Sequence, residues 1–170
     1  MELLIVVVLL GLAATTVAVE LDSTTDTARL RAATTELEQT LRLARHQAGK
    51  THRPSWLQLE LGTGHYRLVL AAQKQTHDFP WHTLEGVTVA RAAIGRRSAE
   101  APTPTPTNRE TIFTIRVSPT GATLPWAVGL HAGGAKRVVW SDGITGRLAY
   151  RDGIALTEAD AGTARLDIRP

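Results

Sequence analysis

The sequence predicts an α+β protein in which a long N-terminal helix packs on a small antiparallel β domain. Three observations carry this. Met1 to Val19 is an apolar run with one carboxylate, Glu2, at its front, leucines and alanines then recur to Ala48, and no proline or glycine falls within residues 12–48. After Pro54 the apolar period drops from about 3.6 to 2. From there to Tyr150, short alternating stretches are separated by Gly-, Pro- and Asp-containing turns, the pattern of antiparallel hairpins.

The helix is expected to have two halves. Leu3 to Val19 holds no charge; at ~1.5 Å per residue it spans roughly the ~30 Å hydrocarbon core of a bilayer. A secretory signal would begin with basic residues, whereas here the one early charge is Glu2, so residues 1–22 are expected to span a membrane. Over residues 23–50, Leu30, Ala33, Leu37, Leu41, Ala44 and Ala48 form one apolar stripe. Arg29, Arg31, Glu36, Glu38, Arg42 and Arg45 fall mainly off it, with Glu38 and Arg42 spaced as a favourable i,i+4 pair. Gly49 is the expected stop, Lys50 and Arg45 suit the negative end of the helix dipole, and Pro54 lies beyond the end.

The β domain is expected over residues 51–150. Leu57, Leu59 and Leu61 alternate with polar residues, Gly62-Thr63-Gly64 turns, and Tyr66 to Leu70 returns as a second strand. Residues 71–82 read as loop, and Gly86 to Val89 as a third strand. The Pro/Thr-rich stretch at about 91–109 resists packing and reads as a mobile loop. Thr111 to Val117 is the next strand, closed by the Ser118-Pro119-Thr120-Gly121 turn. Ala127 to His131, Lys136 to Trp140 and Arg147 to Tyr150 complete the series around turns at Gly133-Gly134 and Asp142-Gly143. Residues 151–170 read as a C-terminal tail.

Composition narrows the chemistry. There is no cysteine, hence no disulfide, thiolate nucleophile or Cys-type zinc site. The net charge of +3 is too mild to imply nucleic-acid binding by itself. His46, His52, His65, His77, His82 and His131 lack metal-ligand spacing, and no cofactor or metal site is expected. Asp142 and Asp152 each precede glycine, which marks turns rather than a catalytic dyad. No nucleophile elbow, zinc-protease or phosphate-loop motif occurs, so no enzyme is expected. Trp56, Trp81, Trp126 and Trp140 read as core or half-buried strand residues, with Trp81 or Trp126, if exposed in a loop, able to anchor a partner subunit.

These landmarks, in this order, resemble type IV pilin-like proteins and, within them, minor pseudopilins of the GspH/FimT family of type II secretion. ELLIVVVLLGLAA at Glu2 to Ala14 resembles the pilin helix after the prepilin-peptidase site. LRLARHQAGKTHRPSWLQLEL at Leu41 to Leu61 resembles the L-x-x-A-R-x-x-A helix end, basic turn and first strand of the H-type proteins. FTIRVSPTGA at Phe113 to Ala122 and ITGRLAY at Ile144 to Tyr150 resemble that family's later segments.

The resemblance implies a structural subunit, single-pass in the bacterial inner membrane with its C-terminal domain in the periplasm. Its partners would be the bilayer, other major and minor pseudopilins, the inner-membrane assembly platform and, on the full-length precursor, the prepilin peptidase. A basic leader ending in glycine and a methylated residue normally precede the family's glutamate, so the chain reads as one whose start lies inside that motif. That leader would supply the basic residues that orient the segment, since Arg29 and Arg31 follow the span and by the positive-inside rule argue for the opposite topology.

Glu2 would pair with the N-terminal amine of a neighbouring subunit during assembly. A carboxylate in low dielectric gains far more from a partner charge than in water, and such a pairing selects register between helices that gain little hydrophobic energy in lipid. The alternative the family offers is a FimT-like minor type IV pilin that binds DNA, with Arg147, Arg151, Arg165 and Arg169 on phosphates. Asp152, Glu158, Asp160 and Asp167 interrupt that basic set.

Overall fold

The computed structural model describes the backbone of residues 2–71, 76–94, 97–100, 112–143, 145 and 147–156, and the side chains of 24–71, 78–94, 112–143, 145 and 147–156. One helix, α1 (Glu2–Thr51), runs without a break for 50 residues. Among the described residues ten strands follow: β1 (Ser55–Glu60), β2 (His65–Ala71), β3 (Thr76–Asp78), β4 (His82–Thr83), β5 (Thr88–Ile94), β6 (Arg97–Glu100), β7 (Ile112–Val117), β8 (Trp126–Ala132), β9 (Ala135–Ser141) and β10 (Leu148–Asp152). They form two antiparallel sheets. One has the order β3-β2-β1-β7, with β4 also on β2; the other runs β10-β9-β8-β5-β6.

Both sheets close on the outer half of α1, which packs on β1, β2 and β7 of the first and on β8 and β9 of the second. The six stripe residues Leu30, Ala33, Leu37, Leu41, Ala44 and Ala48 are all buried, and they meet Leu57, Leu59, Leu68, Ile115, Val128, Leu130 and Val139 in one core. Removing the side chain of any of its leucines costs about 2–5 kcal/mol.

The sheets are stitched by backbone bonds outside either ladder. The Gly62 amide donates to Val89 O at 2.8 Å and the Val89 amide to Thr63 O at 2.7 Å. The β5–β8 register shifts between Val89 and Arg91, a bulge that re-aims the start of β5 towards the β1–β2 turn. Gly64 lies in this seam: a Cβ there would stand 2.2 Å from Val87 O, so no other residue fits.

Several boundaries differ from the sequence reading. The helix runs through Gly49 to Thr51 and ends where His52 takes φ 53°. The Arg53 amide donates back to Ala48 O at 3.2 Å, the six-to-one bond of a Schellman motif with histidine in glycine's usual place. The stretch 71–82 carries β3 and β4, both paired to β2. The strand expected at Gly86–Val89 is β5, Thr88–Ile94, and its partner β6 occupies 97–100, inside the segment expected as loop from 91. Alanine-rich β5 has little intrinsic strand preference; its place between β8 and β6 supplies it. Residues 101–109 lie outside the described residues.

Candidate functional site

The feature that sets this molecule apart is a long rod bearing a head on one half, so the junction of α1 with the β domain is the candidate site. Several polar contacts along α1 fix it. At its start, Asp26 pairs with Arg29 at 3.3 Å and also accepts from the Gly134 amide at 3.3 Å. The Arg29 side chain covers the Gly86 turn, where a Cβ would come within 3.0 Å of its Cδ.

At the far end, Arg45 Nε donates to Gly121 O at 3.1 Å. Burial pushes this guanidinium below its ordinary value, and the nearby Asp142 carboxylate opposes that shift. Three segments distant in sequence therefore meet at one side chain: the Leu41-to-Ala48 helix end, the Ser118-to-Ala122 turn and the Asp142-Gly143 turn. Leu41, Ala44 and Ala48 of that helix motif are buried, and Arg45 is its polar member.

Between the ends, Arg137 of β9 is 1% exposed and faces α1. Its Nε and Nη2 donate to the two oxygens of Asp152 at 2.5 and 2.9 Å, Nη1 donates to Thr34 Oγ1 at 3.3 Å, and the Tyr150 ring lies 4.4 Å from the guanidinium carbon. The fork of donors matches the carboxylate geometry. Arg137 holds the Asp152 carboxyl below its ordinary value. Beside this clamp an open cleft of about 430 Å³ lies between helix and hairpin, lined by Thr27, Leu30, Gly134, Ala135, Lys136, Asp152 and Gly153.

A fourth contact ties the helix to the first sheet. Tyr66 Oη donates to Glu36 Oε1 at 2.5 Å, and its ring stacks on His82 at 5.5 Å between centroids. Burial, then the Glu36 carboxylate, push the Tyr66 hydroxyl up to about 12.

The residues singled out in the sequence fall as follows. Glu2 opens α1, and its side chain lies outside those described. Arg147 and Arg151 are exposed, one just before β10 and one on it, with the exposed Tyr150 between them; Arg165 and Arg169 lie outside the described residues. Trp126 is buried at the head of β8 and offers no anchor, while Trp81 is 41% exposed with the Arg67 guanidinium 4.7 Å from its ring centre. His65 bonds Glu60 at 2.9 Å, and burial followed by Lys136 lowers His131. The His77 side chain lies outside those described. Among the described residues no group of three metal-type side chains gathers. Asp142 serves a turn, accepting from the Thr145 amide at 3.0 Å, whereas Asp152 is the clamp's carboxylate rather than only a turn residue. Sequence reasoning missed Arg137, whose one visible sign is an arginine at a core-facing position of an alternating strand.

Among the described residues no helix is long and apolar enough to cross a membrane; the apolar run over 3–19 lies outside those whose side chains are described. No family model and no curated protein matches the chain. Solved structures do. Two structures of the minor pseudopilin EpsH from the type II secretion system of Vibrio cholerae align over 72% and 73% of this chain and 94% and 96% of theirs. Their TM-scores are 0.54 and 0.56, at 16% and 15% sequence identity. One helix against two antiparallel sheets gives the chain an α+β fold similar to that of these EpsH structures.

Proposed function

We propose that this protein is a minor pseudopilin, a structural subunit of the type II secretion pseudopilus that supports export of folded proteins across the outer membrane. The observation that carries the reading is a rod with a β head whose architecture matches EpsH over nearly all of that chain. In this reading residues 1–22 sit in the bacterial inner membrane and the head lies in the periplasm, beside other pseudopilins. The support is the uncharged stretch Leu3 to Val19 and the unbroken course of α1 beyond it. Glu2 then pairs with the terminal amine of a neighbour, a gain that low dielectric enlarges.

The test is secretion in a strain whose own gene is deleted, complemented with Glu2→Ala in the full-length gene. The expected result is normal membrane insertion with impaired secretion. Normal secretion with the substitution removes the proposed role of Glu2, and secretion unaffected by the deletion removes the functional reading.

A second reading, a DNA-binding minor pilin, draws on the exposed Arg147, just before β10, and the exposed Tyr150 and Arg151 on it. A gel shift of the full chain at two salt concentrations separates the two readings. Salt-sensitive binding near micromolar favours DNA, since phosphate contacts release counterions.

A further inference from the structure

We infer that Asp26, Arg29 and Arg45 form a register latch that fixes where along the rod, and at what angle, the head sits. The inference rests on the rod-and-head reading above and concerns a property nothing in that reading requires. The stripe from Leu30 to Ala48 holds the helix mainly by burial, which is non-directional, with the Thr34–Arg137 and Glu36–Tyr66 bonds midway along it. It repeats every three or four residues, so a one-turn slip of ~5.4 Å still sets many apolar groups against the sheets. A slip of four residues brings Asp22 to the place of Asp26, and Leu41 to the place of Arg45. The same slip carries Asp26 to the buried place of Leu30 and Arg29 to that of Ala33, so the latch residues penalise the slipped register as well as hold the observed one.

The latch supplies directional contacts at two points roughly 28 Å apart along α1, at ~1.5 Å per residue. At one, Asp26 enters the β8–β9 turn. Gly133 has φ 50°, and a Cβ on it would stand 2.1 Å from Asp26 Oδ2, so the turn is shaped to admit that carboxylate. Arg29, paired with Asp26, rests on Gly86, whose φ is 65°. A single i,i+3 ion pair thus meets two glycine turns, the one before β5 and the one between β8 and β9. At the other point Arg45 donates to the carbonyl of Gly121, a third glycine of positive φ, 82°. A slipped helix would leave that partly buried guanidinium facing the wrong backbone, and leaving a buried charge unmatched is costly.

The chain has no cysteine, so engineered pairs report on register without interference. In the full chain in zwitterionic detergent micelles, Thr27→Cys with Lys136→Cys, both lining the cleft, marks the observed register. Ser23→Cys with Lys136→Cys marks the one-turn slip. Each pair is joined with a short bismaleimide. The expected result is that Asp26→Asn with Arg45→Ala raises the slipped-to-observed ratio about threefold or more, a change matched to loss of weak polar contacts. Asp26→Asn alone, which leaves Arg45 in place, should move it in the same direction by less. Gly133→Ala, which blocks the carboxylate's entry, should act as Asp26→Asn does. An unchanged ratio in a folded Asp26→Asn or Gly133→Ala protein overturns the latch. The ratio is read without any secretion machinery, so it stands or falls apart from the Glu2 test.

Discussion

Arg137 is a charge carried almost wholly out of water, and only its partners make that tolerable. Asp152 is its counter-ion, about half exposed at 48%. Truncating Asp152 leaves the guanidinium buried with Thr34 and the Tyr150 ring alone, so Asp152→Ala should cost about 2 kcal/mol in chemical denaturation. That is below the figure for a fully buried pair because water reaches the carboxylate. The same carboxyl sets an acid limit. Its pKa is lowered from 3.8, so its stabilisation is present above that value and is lost as pH falls through the lower folded value. Asp152→Asn should flatten this part of the acid limb. At the alkaline end Tyr66 acts with opposite sign. Its hydroxyl is raised from 10.0 to about 12, so its contribution is intact below 10.0 and fades as pH climbs towards 12. Tyr66→Phe should remove that loss between those limits while lowering stability at neutral pH by about 1 kcal/mol, for the bond to Glu36.

The ends and seams of the elements are where single backbone conformations decide the outcome. His52 sits in the left-handed region at the end of α1, where a Cβ costs about 1–2 kcal/mol in strain. Part of that is offset in the unfolded chain, so His52→Gly should raise stability by about 0.5–1 kcal/mol, measured as a shift in the denaturation midpoint. This position also shows how far the sequence could be read. The helix runs two residues past Gly49, the expected stop, and the residue that adopts glycine's conformation is a histidine, which no sequence rule selects. The stripe from Leu30 to Ala48 and the alternation at Leu57 and Leu59 were legible because one-sided burial imposes a period on each. β3, β4 and β6 were not, because they are two to four residues long and borrow their order from β2 and β5. Arg45 was visible as part of a motif, whereas its partners Gly121 and Asp142 lie too far along the chain for spacing to reveal. The Arg137 clamp joins residues of β9, β10 and α1, a meeting that only the closed fold creates.

At the scale of the whole molecule, the outer half of α1 belongs to the domain it carries. That half supplies one wall of the core, since Leu30, Leu37 and Leu41 are 1–2% exposed and α1 packs on strands of both sheets. The helix is therefore not a handle attached to a finished domain; without it the inner faces of both sheets lie open. A chain beginning at Thr24 keeps the whole stripe, Asp26, Arg45 and the Tyr66–Glu36 bond. It should stay in solution without detergent and unfold in one cooperative transition. A chain beginning at Arg53 loses the wall. It exposes Leu57, Leu59, Ile115, Val128 and Val139 together, a patch larger than stable monomers carry, and should aggregate or bind a hydrophobic dye. Light scattering and thermal unfolding of the two chains, side by side, decide this. If the chain from Arg53 folds cooperatively as a monomer, the two sheets close on each other unaided. The rod then only carries the head, and the contacts along α1 lose their claim to hold the fold together.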